Sequence, residues 1–292
     1  MEHFGIYGKV SPVDIRNILK MEKVIKILPN VDFTGALCLT ATLFLLLTLL
    51  FSLPPEEPLV IEPLPQDAIT VFPDFTEIAD ISDKKRQFLD YMEGFVAAES
   101  QSIYGTRSDL LLIKDIVDKG KELSDRDAAK IVNLSETYRI DFENKAIEDI
   151  INELALRIDL IPVSMALAQA ANESAWGTSR FTVEGNNVFG QWCYEEGCGI
   201  VPARRVSGAK HEVEYFDTVE NSVKAYFLNI NTHDSYAYLR DLRLKMRERN
   251  LKLDPMSLSI GLGRYSQRGS GYVDEIQRII LQNDLRDRDI LF

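Results

Sequence analysis

The stretch Phe33–Leu53, FTGALCLTATLFLLLTLLFSL, carries no charged side chain. About 20 apolar residues in a helix suffice to cross a hydrocarbon core of about 30 Å. A helix buried in a soluble core would need an apolar partner on every face, and such helices seldom stay uncharged for so long. A cleaved signal peptide fits less well. The run exceeds an ordinary h-region, about 30 residues precede it, and the PPEEP that follows offers no small-x-small cleavage site. The sequence therefore predicts one transmembrane helix that acts as an uncleaved signal anchor.

The flanks set its direction. Lys9, Arg16, Lys20, Lys23 and Lys26 precede the span, whereas Glu56, Glu57, Glu62 and Asp67 follow it, with no Lys or Arg before Lys84. The positive-inside rule then places residues 1–32 in the cytoplasm and everything after the span outside. In a Gram-negative cell this is a single-pass inner-membrane protein with its bulk in the periplasm. Residues 54–80 contain Pro54, Pro55, Pro58, Pro63, Pro65 and Pro73 and read as an extended, semi-stiff tether.

The remaining length must supply the chemistry. The formal charge of -12, with no Lys/Arg-dense run, argues against a nucleic-acid partner. Neither a metal nor a cofactor is predicted, because His3, His211 and His233 lie far apart and no Cys/His ligand spacing occurs. Cys193 and Cys198 flank YEEG, and outside the cytoplasm this spacing predicts a disulfide; two free thiols or a metal site are the alternatives. Cys38 lies within the span and can reach neither.

Beyond the tether the apolar spacing is helical. Phe88, Met92, Phe95 and Val96 mark a first helix from about Asp83, and Leu110, Leu111, Ile113 and Ile116 a second near Ser102–Asp118. Ser124 with Asp127 forms a capping box, another helix covers about 143–158, and Pro162 suits the first turn of the next, which Gly177 ends. Residues 185–217 read as loops with a short β-hairpin, followed by helices at about 219–232, 235–249 and 270–282. The fold class is mainly α with a small β element.

Glu173 stands out within MALAQAANESAWG. It falls near the C-terminal end of its helix, where the partial negative charge of the terminus disfavours a carboxylate, and Trp176 adds apolar cover. Both effects raise its pKa, as a group that must carry a proton near neutral pH requires. An ordinary exposed helix glutamate is the plainer alternative.

ALAQAANESAWG followed by GNNVFG resembles the signature of the glucosaminidase-type peptidoglycan hydrolases of glycoside hydrolase family 73, and RIDLIPVSMALAQAANESAWGTSRF and QWCYEEGCGIVP resemble a Gram-negative subgroup of it. The resemblance covers about 83–285. It implies a lysozyme-like helical domain at 161–285, with a helical region at 81–160 packed on it. It also implies cleavage of β-1,4 bonds in peptidoglycan glycan strands, with Glu173 as the catalytic acid. By the same resemblance Tyr265, in YSQRGSGY, lines the site, with Tyr272 the other tyrosine of that segment. A second carboxylate is sought in the loop or hairpin after GNNVFG, where Glu212 and Glu214 rank ahead of Glu195 and Glu196. Gln169, Trp176, Asn186, Asn187, Phe189 and Trp192 are the candidates for binding sugar, with Tyr194 another aromatic that could stack on it. A non-catalytic glycan-binding module and a lytic transglycosylase are the rival readings; the first would lack the second carboxylate, and the second would leave an anhydro product.

Overall fold

In a computed structural model of the chain, residues 72–203, 205 and 208–289 are described. The predicted membrane span at 33–53 and most of the tether lie outside these residues. Among the described residues no helix is long and apolar enough to cross a membrane.

The longest element is α1, Ile81–Asp118. The side chain of Asp80 caps its N-terminus by accepting from the Asp83 amide at 2.7 Å. Phe88, Met92, Phe95, Val96, Ile103, Leu110, Ile113 and Val117 fall at helical spacings of three, four or seven residues, with Phe95 and Val96 adjacent, and are all buried, so one apolar stripe runs along the helix. The two helices expected here are therefore one. Gly105 costs about 1 kcal/mol in a helix interior, and the packed stripe outweighs that.

Three shorter helices follow: α2 (Asp125–Thr137), α3 (Ile147–Arg157) and α4 (Val163–Glu173). Ser124 caps α2 through the Asp127 amide, and its hydroxyl also meets the Asp127 carboxylate at 2.7 Å. Pro162 occupies the cap position of α4 itself, one residue earlier than the first-turn placement expected. Residues 163–171 of α4 are all buried. This helix is the axis of the domain, enclosed by α1, by α9 (Ser270–Gln282) and by the turn Leu285–Arg288. Ala166, Ala168, Ala170 and Ala171 permit such close approach on several sides at once.

After α5 (Arg180–Gly185) the chain forms three short strands, β1 (Trp192–Cys193), β2 (Gly199–Ile200) and β3 (Glu212–Glu214). They make an antiparallel sheet in the order β1-β3-β2, with β3 in the centre. The hairpin expected from sequence is thus a three-stranded sheet. Trp192 pairs with Val213 and Gly199 with Glu214. A Cβ at Gly199 would come within 2.0 Å of the Val213 carbonyl oxygen, so only glycine allows this close approach. The helices α6 (Val219–Thr232), α7 (Ala237–Glu248), α8 (Pro255–Ser259) and α9 complete the domain. The described part is mainly helical with a small antiparallel sheet.

Candidate active site

Glu173 is the last residue of α4. Beyond it the chain turns sharply, with φ of +50° at Ala175, +60° at Trp176 and +79° at Gly177. Two non-glycine residues in succession at positive φ store strain of order 1–3 kcal/mol each. The buried hydroxyl of Ser174 holds the turn by accepting from the Gly177 amide at 2.8 Å, and the Trp176 amide returns to the Ala171 carbonyl at 2.9 Å. Gly177 lies against Phe75 and Phe88, where a Cβ would stand only 2.6 and 2.9 Å from their rings. The SAWG segment therefore terminates the helix and fixes where the Glu173 carboxylate sits.

That carboxylate is half-buried, and burial raises its pKa above the ordinary value. Hydrogen bonds from Asn172 and Tyr272, together with the Arg268 charge, oppose the rise, while Glu275 adds to it. The Asn172 amide donates to Oε1 at 3.0 Å. The backbone of Gly190 passes close by, such that a Cβ there would lie 3.9 Å from Glu173 Oε2.

Behind Glu173 stands a relay of neutral groups. The Tyr226 hydroxyl donates to Gln169 Oε1 at 2.7 Å, and Gln169 Nε2 donates to the Tyr272 oxygen at 3.0 Å. With that oxygen already accepting, Tyr272 turns its own proton to the Glu173 carboxylate. Tyr265 stacks on Tyr272 with centroids 5.2 Å apart and donates to the Phe189 carbonyl at 2.9 Å. Burial raises the hydroxyls of Tyr226, Tyr265 and Tyr272 well above the ordinary phenol value, with Glu173 a further cause in each. Tyr236 is pushed up to about 12, again mainly by burial. All four remain protonated, so they can donate to a carboxylate but cannot serve as bases near neutral pH.

The tyrosine whose hydroxyl meets Glu173 is thus Tyr272, while Tyr265, preferred from sequence, lies one ring behind it. Removing the Tyr272 hydroxyl should raise the Glu173 pKa further, because the lost hydrogen bond favours the ionised form. If Glu173 acts as an acid, the fall of kcat at high pH should therefore move to higher pH in Tyr272→Phe. A pH–rate profile reads this directly, and an unmoved or lowered limb would refute the coupling.

Burial corrects several sugar-binding expectations. Gln169 is fully buried, with both ends of its amide used by the two tyrosines. Asn187 is buried and ties the turn to the sheet: its Nδ2 donates to the carbonyls of Gln191 and Glu214, and its Oδ1 accepts from the Gln191 amide. Phe189 is buried and stacked on Tyr226 at 3.9 Å. Asn186 sits at φ +51° and donates to the Phe216 carbonyl at 2.9 Å. Gln169, Asn187 and Phe189 belong to the floor beneath Glu173 and offer no free polar atom to a sugar, whereas half-buried Asn186 commits its Nδ2 to backbone carbonyls. Trp192 is different: it is 53% exposed and stacked on His211 at 4.0 Å, which leaves surface for a ligand. Tyr194 is also exposed, and Trp176 is half-buried with one edge against Phe88.

Cys193 and Cys198 are joined by a disulfide, with a Cα separation of 6.2 Å. Among the carboxylates beyond the turn, Glu212 is buried and accepts from the Gly197 and Gly199 amides at 3.3 and 2.9 Å. It holds the disulfide loop and is occupied there, which corrects its ranking as a free base. Glu195 and Glu196 lie exposed in that loop. Glu214 is half-buried, its pKa is raised by burial, and no side-chain partner engages it among the described residues. Its amide donates to the Gln191 carbonyl at 2.9 Å, so the Gly190–Gln191 backbone runs between the Glu173 and Glu214 elements. Gln191 Oε1 is buried there without a partner.

A half-buried carboxyl at a helix end, backed by buried tyrosine hydroxyls, therefore lies beside the backbone that leads to the small sheet carrying Glu214. The glucosaminidase family, described as mannosyl-glycoprotein endo-beta-N-acetylglucosaminidase, matches residues 148–285. The protein Bax of Escherichia coli K12 is 28% identical over 200 residues, spanning 68% of this chain and 70% of that protein. Among solved structures, the catalytic domain of the autolysin Auto from Listeria monocytogenes is 14% identical and has a TM-score of 0.39, over 73% of this chain and 92% of that one. Residues 148–285 are thus similar to the glucosaminidase family, and the chain is similar to the protein Bax.

Proposed function

We propose that this chain is a peptidoglycan hydrolase that cuts β-1,4 glycosidic bonds of the glycan strand, in the manner of an endo-β-N-acetylglucosaminidase, with Glu173 as general acid. The observation that carries the reading is the environment of Glu173. Burial raises its pKa while donors from Asn172 and Tyr272 hold its orientation. The shift favours the protonated form, as a group that delivers a proton to a departing sugar oxygen requires.

Glu214 is the second carboxylate of this mechanism. Burial makes it a stronger base than a solvated glutamate, and it is free of the backbone contacts that occupy Glu212. In this role it activates water or stabilises the developing positive charge on the sugar. Incubating purified sacculi with the protein and identifying the new sugar ends by mass spectrometry tests the reading. Reducing N-acetylglucosamine ends are expected, and Glu214→Gln should suppress them by roughly two orders of magnitude. Anhydro ends would replace hydrolysis by transglycosylation, and a silent Glu214→Gln would leave a one-carboxylate mechanism. No product at all would leave a glycan-binding module.

The uncharged run at 33–53 and the lysines before it support an inner-membrane anchor that holds this domain in the periplasm. A reporter that functions only outside the cytoplasm, fused after Phe292, should be active; activity of a cytoplasm-only reporter would reverse the topology.

A further inference from the structure

A cleft of about 260 Å³ opens beside the Glu173 site, lined by Lys85, Asn172, Trp176, Glu275, Arg278 and Gln282 among others. Asn172 links the two places, since its amide donates to Glu173 while the residue lines the cleft. Along α9, Tyr272 faces Glu173, and Glu275 and Arg278 follow one and two turns on. The cleft is thus displaced from the acid by about 5–9 Å along that helix axis, comparable with one to two sugar residues.

Its charge is unusual for this chain. The Lys85 ammonium lies 4.7 Å above the Trp176 ring, and among the described residues no carboxylate pairs with Lys85 or with Arg278. Glu275, the one acid in the wall, is already paired with Arg268. Two uncompensated cations therefore converge on one cleft of a protein whose net charge is -12. Trp176 belongs to the left-handed turn that ends α4, and its indole lies beneath Lys85. Lys85 comes from α1, outside the residues matched by the glucosaminidase family, so the cleft is a joint product of the two regions.

We propose that this cleft is a subsite for a free carboxylate of the stem peptide that the glycan carries. The carboxylate binds between the Lys85 ammonium and the Arg278 guanidinium, and the Gln282 amide is available to polar groups beside it. The proposal rests on the peptidoglycan reading for its ligand, but its test does not depend on catalysis.

The full-length Glu173→Gln protein is titrated calorimetrically with a disaccharide–peptide fragment of peptidoglycan and with chitotetraose, which has no carboxylate. The same is done after adding Lys85→Met and Arg278→Met, which remove charge but keep the packing stems. The first protein should bind the carboxylated ligand at least tenfold more tightly, and the preference should shrink as salt is raised. In the triple variant the preference should vanish. A first protein without preference, or a triple variant that keeps it, would overturn the subsite, as would failure of both ligands to bind. If sacculi are not cleaved yet the preference appears and is lost on substitution, the hydrolase reading fails and the subsite stands. If sacculi are cleaved and the preference is absent, the reverse holds.

Discussion

Glu173→Gln is expected to lower turnover on sacculi by two to four orders of magnitude, about 2.7–5.4 kcal/mol in the barrier. Glutamine has the shape of the protonated acid but no acidic proton, so the leaving sugar oxygen must depart unprotonated. Binding should persist, because the floor beneath the site is built from Gln169, Asn187, Phe189 and the tyrosines and not from this side chain. The substitution also has a stability signature. Burial raises the folded-state pKa of Glu173, so the folded protein binds this proton more tightly than the unfolded chain. Ionisation therefore costs stability as the pH rises above the unfolded value, and Glu173→Gln removes that cost. The variant should melt at or above the wild-type temperature at neutral pH while being nearly inactive. Hydrolysis near the wild-type rate would remove the general-acid role. A lowered melting temperature would mean that the activity loss reports damage to the fold.

How much of this could be read in the sequence depends on how local each signal is. The helix carrying Glu173 was legible because its small apolar residues, the proline before it and the glycine after it all lie within 162–177. The Ser124 cap needs only three residues, and the Cys193–Cys198 pairing closes over a separation of five. What was not legible depends on partners far along the chain. Gln169 reads as a polar group on a helix facing substrate, yet its partners Tyr226 and Tyr272 are 57 and 103 residues away. Asn187 sits in a GNN turn that suits a sugar contact, but it is satisfied by a carbonyl 27 residues on. Tyr265 and Tyr272 share one segment, and only the packing of α9 against α4 decides which hydroxyl meets Glu173. The apolar spacing between Asp83 and Asp118 suggests two helices, whereas the stripe continues through Gly105 without a break.

The most consequential residue that the sequence reading passed over is Asp159, where an acid in the apolar run IDLIP was the available clue. Its carboxylate is buried and faces three guanidinium groups. Arg247 binds it in bidentate fashion at 2.8 and 3.2 Å, and Arg107 and Arg243 stand at 3.4 and 3.7 Å. Burial alone would raise its pKa, but Arg243, the Arg247 hydrogen bond and Arg107 outweigh burial and hold it below the ordinary value. Arg243 is itself fully buried, lowered to about 10 by burial, and also binds the carbonyls of Leu156, Arg157, Asp159 and Leu160 at the end of α3. The cluster thus clamps α1, α7 and the chain entering α4, and so fixes the start of the helix whose other end presents Glu173. Asp159→Asn keeps the shape but leaves three cations without their counter-charge, for an expected loss of about 3–5 kcal/mol. In a domain of this size that is a fall in melting temperature of roughly 6–20 °C. Because the folded pKa is lowered, the stability contributed by Asp159 is present above its unfolded value, about 3.9, and is lost as the pH falls through the folded value. The wild type should therefore lose stability in that acid window more steeply than Asp159→Asn. Arg247→Met, which removes the most exposed of the three cations, should cost less than Asp159→Asn. Thermal melts of both variants across pH decide the matter: an Asp159→Asn protein as stable as the wild type at neutral pH would show that the cluster does not hold the helices together.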